Sequence, residues 1–65
     1  MPKEEQIIAF KIGARARKMA TEGCVIEGYE MLYTAIRECK ESQNTVMLDY
    51  LSRELEKYEV KCEDL

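Results

Sequence analysis

Between residues 25 and 39, apolar side chains recur at Val25, Tyr29, Leu32, Ile36 and Cys39, in steps of four, three, four and three. That spacing lays all five along one stripe of an α-helix. Met31 and Tyr33 widen the stripe on both flanks, and Ile26 adds to it near the start. A helix with two apolar flanks is expected to touch two neighbours and to lie in the middle of the fold.

The preceding stretch reads as a first helix over residues 3–21. Pro2 suits a first helical turn, where its missing N–H goes unused, and Glu4 and Glu5 stand near the positive end of the helix dipole. The apolar face is traced through Ile8, Ile12, Ala16 and Met19, with Ile7, Ala9 and Ala20 beside them, and Lys11, Arg15, Arg17 and Lys18 occupy the remainder. Gly13 within this run costs about 1 kcal/mol relative to alanine, a loss that close approach of another helix could offset. The pattern fails over residues 21–23, and Gly23 is a natural C-terminal cap because it tolerates a left-handed backbone.

A second change of pattern follows Cys39. Continued at the same spacing, the central stripe would use Gln43, Val46 and Tyr50, whereas the next strong apolar set is Leu48, Leu51, Leu55, Tyr58, Cys62 and Leu65. One straight helix cannot present both stripes to one partner, so a turn is expected over residues 42–45. Ser42, Asn44 and Thr45 can each cap the helix that follows. The central helix then runs over 24–41 and the third over 45–63, where Asp49 and Arg53 form an i, i+4 pair.

The expected fold is therefore all-α, an antiparallel three-helix bundle or helical hairpin forming a single small domain, residues 1–65. Short links join only antiparallel neighbours. Folding back about the second turn sets Leu32 against Leu55, Ile36 against Leu51, Tyr29 against Tyr58 and Cys24 near Cys62, with Cys39 at the other end. Folding about the first sets Met19 near Ile26, Ala16 near Tyr29, and Ile12 near Leu32 and Tyr33.

Size bears on association. A chain of 65 residues buries only about 60% of the surface its unfolded form exposes, and self-association, most simply as a homodimer, is the expected remedy. With 46% hydrophobic and 35% charged residues, the chain is too apolar for disorder and too charged to span a membrane. Lys3 is followed by Glu4 and Glu5 rather than by an apolar segment, unlike a secretory signal, so a cytoplasmic location is expected. Cys24, Cys39 and Cys62 are odd in number and form no CxxC pair, which disfavours both a disulfide framework and a zinc site.

Candidate chemistry is sparse. There is no histidine, so acid–base work at neutral pH would need a strongly shifted carboxylate, lysine or thiol. Glu27 with Glu30, and Glu56 with Glu59, read as solvated acidic faces, and Gly13, Gly23 and Gly28 are too scattered for a phosphate loop. No catalytic, cofactor-binding or metal-ligating residue is expected, and the chain is expected not to be an enzyme.

Charge is unevenly spread. Residues 1–20 hold five basic and two acidic side chains, while residues 21–65 hold five basic and eleven acidic ones, giving +3 against −6. Lys11, Arg15, Arg17 and Lys18 form a basic contact face, whose counter-charge could come from acidic residues of another helix, from a second copy or from an acidic protein partner. The acidic whole, with a pI near 4.9, makes nucleic acid the less favoured partner. Tyr33, Met47 and Tyr50 fall off the stripes already paired within the chain, and residues of these types are enriched at interfaces. They are the expected association surface.

Ala9, Ile12 and Ala16, followed by Glu27, Gly28, Ala35 and Ile36, resemble the small–large pattern of tetratricopeptide helix pairs and of microtubule-interacting-and-transport domains. Tyr50-Leu51-Ser52-Arg53 is similar to the third helix of the latter. The chain departs from that pattern at Ala20, where those transport domains usually carry an aspartate, and in its short segment between Ala35 and Tyr50. In length and charge it also resembles small plasmid and viral helical hairpins that dimerise into four-helix bundles. No functional residue is carried over from any of these. The expected function is a small non-enzymatic protein–protein interaction module, a homo-oligomeric bundle acting as adaptor or regulator; the competing expectation is a small nucleic-acid-binding regulator using the basic face.

Overall fold

The computed structural model describes residues 2–65, with side chains from residue 4. Three helices follow one another: α1 (Pro2–Thr21), α2 (Val25–Glu41) and α3 (Thr45–Glu63), each packed against the other two. No helix is long and apolar enough to cross a membrane among the described residues.

Both turns are built the same way. After α1, the Cys24 N–H donates to the Met19 carbonyl at 2.8 Å and the Gly23 N–H to the Ala20 carbonyl at 3.0 Å. After α2, the Asn44 N–H donates to the Cys39 carbonyl at 2.9 Å and the Gln43 N–H to the Lys40 carbonyl at 3.2 Å. These paired bonds satisfy helix-end carbonyls and require a left-handed residue between them. Gly23 (φ +93°) fills that place in the first turn and Gln43 (φ +59°) in the second. Asn44 then starts α3, its side chain accepting from the Met47 N–H at 3.1 Å. The break expected over residues 42–45 is present.

The core comprises Ala9, Ala16 and Ala20 of α1, Leu32, Ile36 and Cys39 of α2, and Leu51 and Tyr58 of α3. Tyr29 meets Tyr58 edge to face, ring centroids 4.7 Å apart, as the antiparallel register requires. On α1, however, the buried line is Ala9, Gly13, Ala16 and Ala20, while Ile7 and Ile8 are exposed. Helix α1 is rotated by most of a residue step from the face traced through Ile8, Ile12, Ala16 and Met19. The reason is steric: small residues let the helix axes approach, and bulky isoleucines are left to the flanks. Ile26 is also a correction, 70% exposed instead of joining the α2 stripe. It lies about 100° around the helix from Val25, outside the arc that α1 and α3 cover.

Two side chains of α3 set the helix spacing. Tyr58 is fully buried and donates its hydroxyl hydrogen to the Val25 carbonyl, and a Cβ on Gly28 would come within 2.8 Å of the ring. One turn earlier, Glu54 is 5% exposed, and a Cβ on Gly13 would come within 2.9 Å of its own Cβ. Each glycine therefore makes room for one large side chain of α3.

Candidate interaction site

The Glu54 carboxylate is the centre of the α1–α3 seam. Arg17 Nη1 lies 2.7 Å from its Oε1 and Lys57 Nζ 3.0 Å from its Oε2. A carboxylate taken out of water needs such partners. Phe10 completes the arrangement: the Arg17 guanidinium stands 5.7 Å and the Lys57 ammonium 5.9 Å from its ring centroid. Both cations lie within the reach of a cation–π contact.

Beside this cluster, α1 and α3 line a groove of about 570 Å³. Ala9, Ile7, Phe10 and Tyr50 supply apolar surface, and Lys11, Arg53 and Lys57 stand at its edges. Ile7 is 53% and Phe10 52% exposed. Of the two carboxylates nearby, Glu54 is engaged within the seam, and Asp49 pairs with Arg53 at 3.1 Å in a solvent-exposed contact of small value. The groove is apolar in its walls and cationic at its rim.

The opposite flank of α1 differs in sign. There Ile12, Met31 and Ala35 are bordered by Glu27, Glu30 and Glu38, around a shallower depression of about 440 Å³. Glu5 adds a carboxylate whose Oε2 is buried without a partner.

The residues expected to form one association surface are separated by the fold. Tyr50 is half-buried in the α1–α3 groove, and Met47 packs against the core near the second turn. Tyr33 is 49% exposed on the other side of α3, stacked on Tyr29 with ring centroids 5.8 Å apart. Of the expected basic face, Lys11, Arg15 and Lys18 are exposed, but Arg17 is turned onto Glu54. Phe10, Lys57 and Glu54 were not singled out by sequence, Ile7 was read only as a flank of the α1 apolar face, and Arg53 only as the partner of Asp49. The i, i+3 pairing of Glu54 with Lys57 was legible there, whereas burial of the glutamate was not, since glutamates are almost never buried unless paired.

Cys24 and Cys39 have little nucleophilic character. Glu27 pushes the Cys24 thiol up, burial does the same to Cys39, and an un-ionised thiol is a poor nucleophile. Burial, with Cys62 close by, raises Tyr58 to about 12, and burial with Glu59 beyond it raises Tyr29. Cys62 thus lies beside the tyrosines at the Cys24 end of the bundle; all three thiols are free. Among the described residues no group of three or more Cys, Asp or Glu side chains is arranged to hold a metal ion.

No protein-family model matches this sequence, and no curated protein or solved structure is significantly similar to it.

Proposed function

We propose that the chain is a non-enzymatic protein–protein interaction module, an adaptor or regulator, whose α1–α3 groove receives an acidic amphipathic helix. The observation that carries this reading is the combination of exposed Ile7 and Phe10 with a rim of Lys11, Arg53 and Lys57. Apolar anchors set in a groove supply affinity, and the rim charges select the partner's sign and speed encounter. Three free thiols support a reducing compartment such as the cytoplasm. A nucleic-acid contact has weaker support, because Arg17 is engaged by Glu54 and only three cations of the α1 face remain on a chain of net charge −3.

The test is a titration of isotope-labelled protein with a helical peptide of leucine and glutamate at three-four spacing, beside a leucine–lysine peptide of the same pattern. The acidic peptide should shift resonances of Ile7, Phe10, Tyr50 and Lys57, weakening as salt rises, and the basic one should leave them in place. Equal shifts with both peptides, or shifts confined to other surfaces, overturn the reading.

A further inference from the structure

We infer that the groove's own occupant is a second copy of this chain, entering by the α2 edge that carries Ile26 and Tyr33, so that copies associate head to tail. This rests on the groove reading above and names its partner. Ile26 and Tyr33 are the large apolar side chains that α2 leaves exposed. They are seven residues apart, two turns along one edge of the helix, separated by about 10 Å. Glu30 falls between them in sequence, about 50° farther around the helix, and with Glu27 forms an acidic border on the α1 side of this edge. On the neighbouring turns of α3, Glu59 and Glu63 lie close enough to Tyr29 to oppose its ionisation. The edge is therefore apolar with acidic borders, the counterpart of a groove that is apolar with basic borders.

The placement of the two surfaces sets the symmetry. The groove opens between α1 and α3, while the Ile26 and Tyr33 edge lies on the α2 side of α3, so a single two-fold contact cannot use both surfaces of both copies. Each copy donates one edge and accepts one, a heterologous contact that yields rings or open chains. Tyr33 and Tyr50, which the fold holds apart within one copy, are then brought to the same junction from two copies. Like charges oppose the alternatives: groove against groove sets Lys11, Arg53 and Lys57 against themselves, and edge against edge does the same for Glu27 and Glu30.

Complementation tests this directly. Phe10→Glu, or Ile7→Glu as a second groove variant, removes the acceptor; Ile26→Lys with Tyr33→Lys removes the donor. All four positions are about half exposed or more, and circular dichroism confirms folding of each variant. By sedimentation at about 0.5 mM, wild type should form oligomers that dissociate as salt is raised. Each variant alone should lose association by about 30-fold or more, as anchor residues do. An equimolar mixture of a groove variant with the edge variant should form a 1:1 dimer and nothing larger, because one intact junction remains. A two-fold interface cannot be rescued by mixing, so failure of the mixture to dimerise overturns the inference. Wild type that is monomeric at that concentration overturns it too. If the acidic peptide still shifts the groove in that case, the groove reading stands with a different partner; if the peptide also fails, both fall.

Discussion

The two seams that α3 makes are built on one device and filled with opposite chemistry. In each, a glycine on the facing helix admits a large side chain, Gly28 for Tyr58 and Gly13 for Glu54, and the two guests sit one turn apart on α3. Tyr58 fills its place with a fully buried ring and discharges its single hydroxyl onto the Val25 carbonyl. Glu54 fills its place with a carboxylate that needs Arg17 and Lys57. The aromatic seam is closed over Tyr58. The ionic seam runs toward solvent through Arg17, Lys57 and Phe10, and the groove lies beside it. The fully buried contact thus lies on the α2 side of α3, and the groove on the α1 side.

Alanine at the two glycines separates the seams most widely. At Gly28 the added methyl meets a ring with no exposed face to move toward, and overpacking should cost about 3 kcal/mol. Gly13→Ala meets a Glu54 carboxylate that can swing outward with its cations but also the Glu54 Cβ at 2.9 Å, which moves only with α3, and the gain in helix propensity of about 1 kcal/mol offsets part of the strain. Urea midpoints should rank wild type above Gly13→Ala and Gly13→Ala well above Gly28→Ala. Equal losses would show that both seams are equally stiff.

The ionic seam should respond to loss of one partner more than to loss of both. Arg17→Met leaves Glu54 buried with only the more exposed Lys57, at a cost of about 2 kcal/mol, less than a fully enclosed pair because Arg17 is partly solvated. Adding Glu54→Met should recover most of that, since well-packed apolar side chains often replace a buried pair without loss. A single variant as stable as wild type would mean that the pair contributes nothing net. No such rescue exists for the aromatic seam.

These seams also mark how far the chain could be read from its sequence. Helix limits followed from Gly23 and from the shift of register between Ile36 and Leu48, and the Tyr29–Tyr58 contact followed from antiparallel pairing. The face of α1 did not, because apolar patterning is dominated by large side chains such as Ile8 and Ile12, whereas close packing here selects Ala9, Gly13, Ala16 and Ala20. Glu54 reads as surface for the same kind of reason: its burial depends on Arg17, 37 positions away, and no local pattern reports that. The groove was illegible as a consequence, since it exists only where a rotated α1 leaves Ile7 and Phe10 beside Tyr50.

Alkali should act on the aromatic seam through Tyr58. Burial raises Tyr58 to about 12 in the folded chain, against about 10 when unfolded. The folded state therefore favours the neutral phenol: the contribution is complete below pH 10 and is lost as pH rises toward 12, by at most about 1.4 kcal/mol per pH unit. Tyr58→Phe cannot ionise, so its stability should fall less than that of wild type across this interval, followed by urea midpoints at each pH. Parallel curves would place the alkaline loss elsewhere.

The smallest effect comes from the turns that deliver α2 to the two seams. They share their hydrogen bonds, yet one places glycine and the other glutamine in the left-handed position. A left-handed conformation costs a residue with a Cβ about 1 kcal/mol or more, while glycine adds freedom to the unfolded chain that offsets part of the gain. Gln43→Gly should therefore stabilise by about 0.5 kcal/mol and raise Tm by a few degrees in a chain of this size. Gly23→Gln should do the reverse and somewhat more, because φ +93° lies farther from the left-handed helical region than the +59° of Gln43; a Cβ there meets nothing within 4 Å, so the penalty is purely one of backbone. Calorimetry on both variants measures the pair. A loss of stability in Gln43→Gly would mean that the glutamine side chain makes a contribution in the folded turn larger than the strain of its backbone.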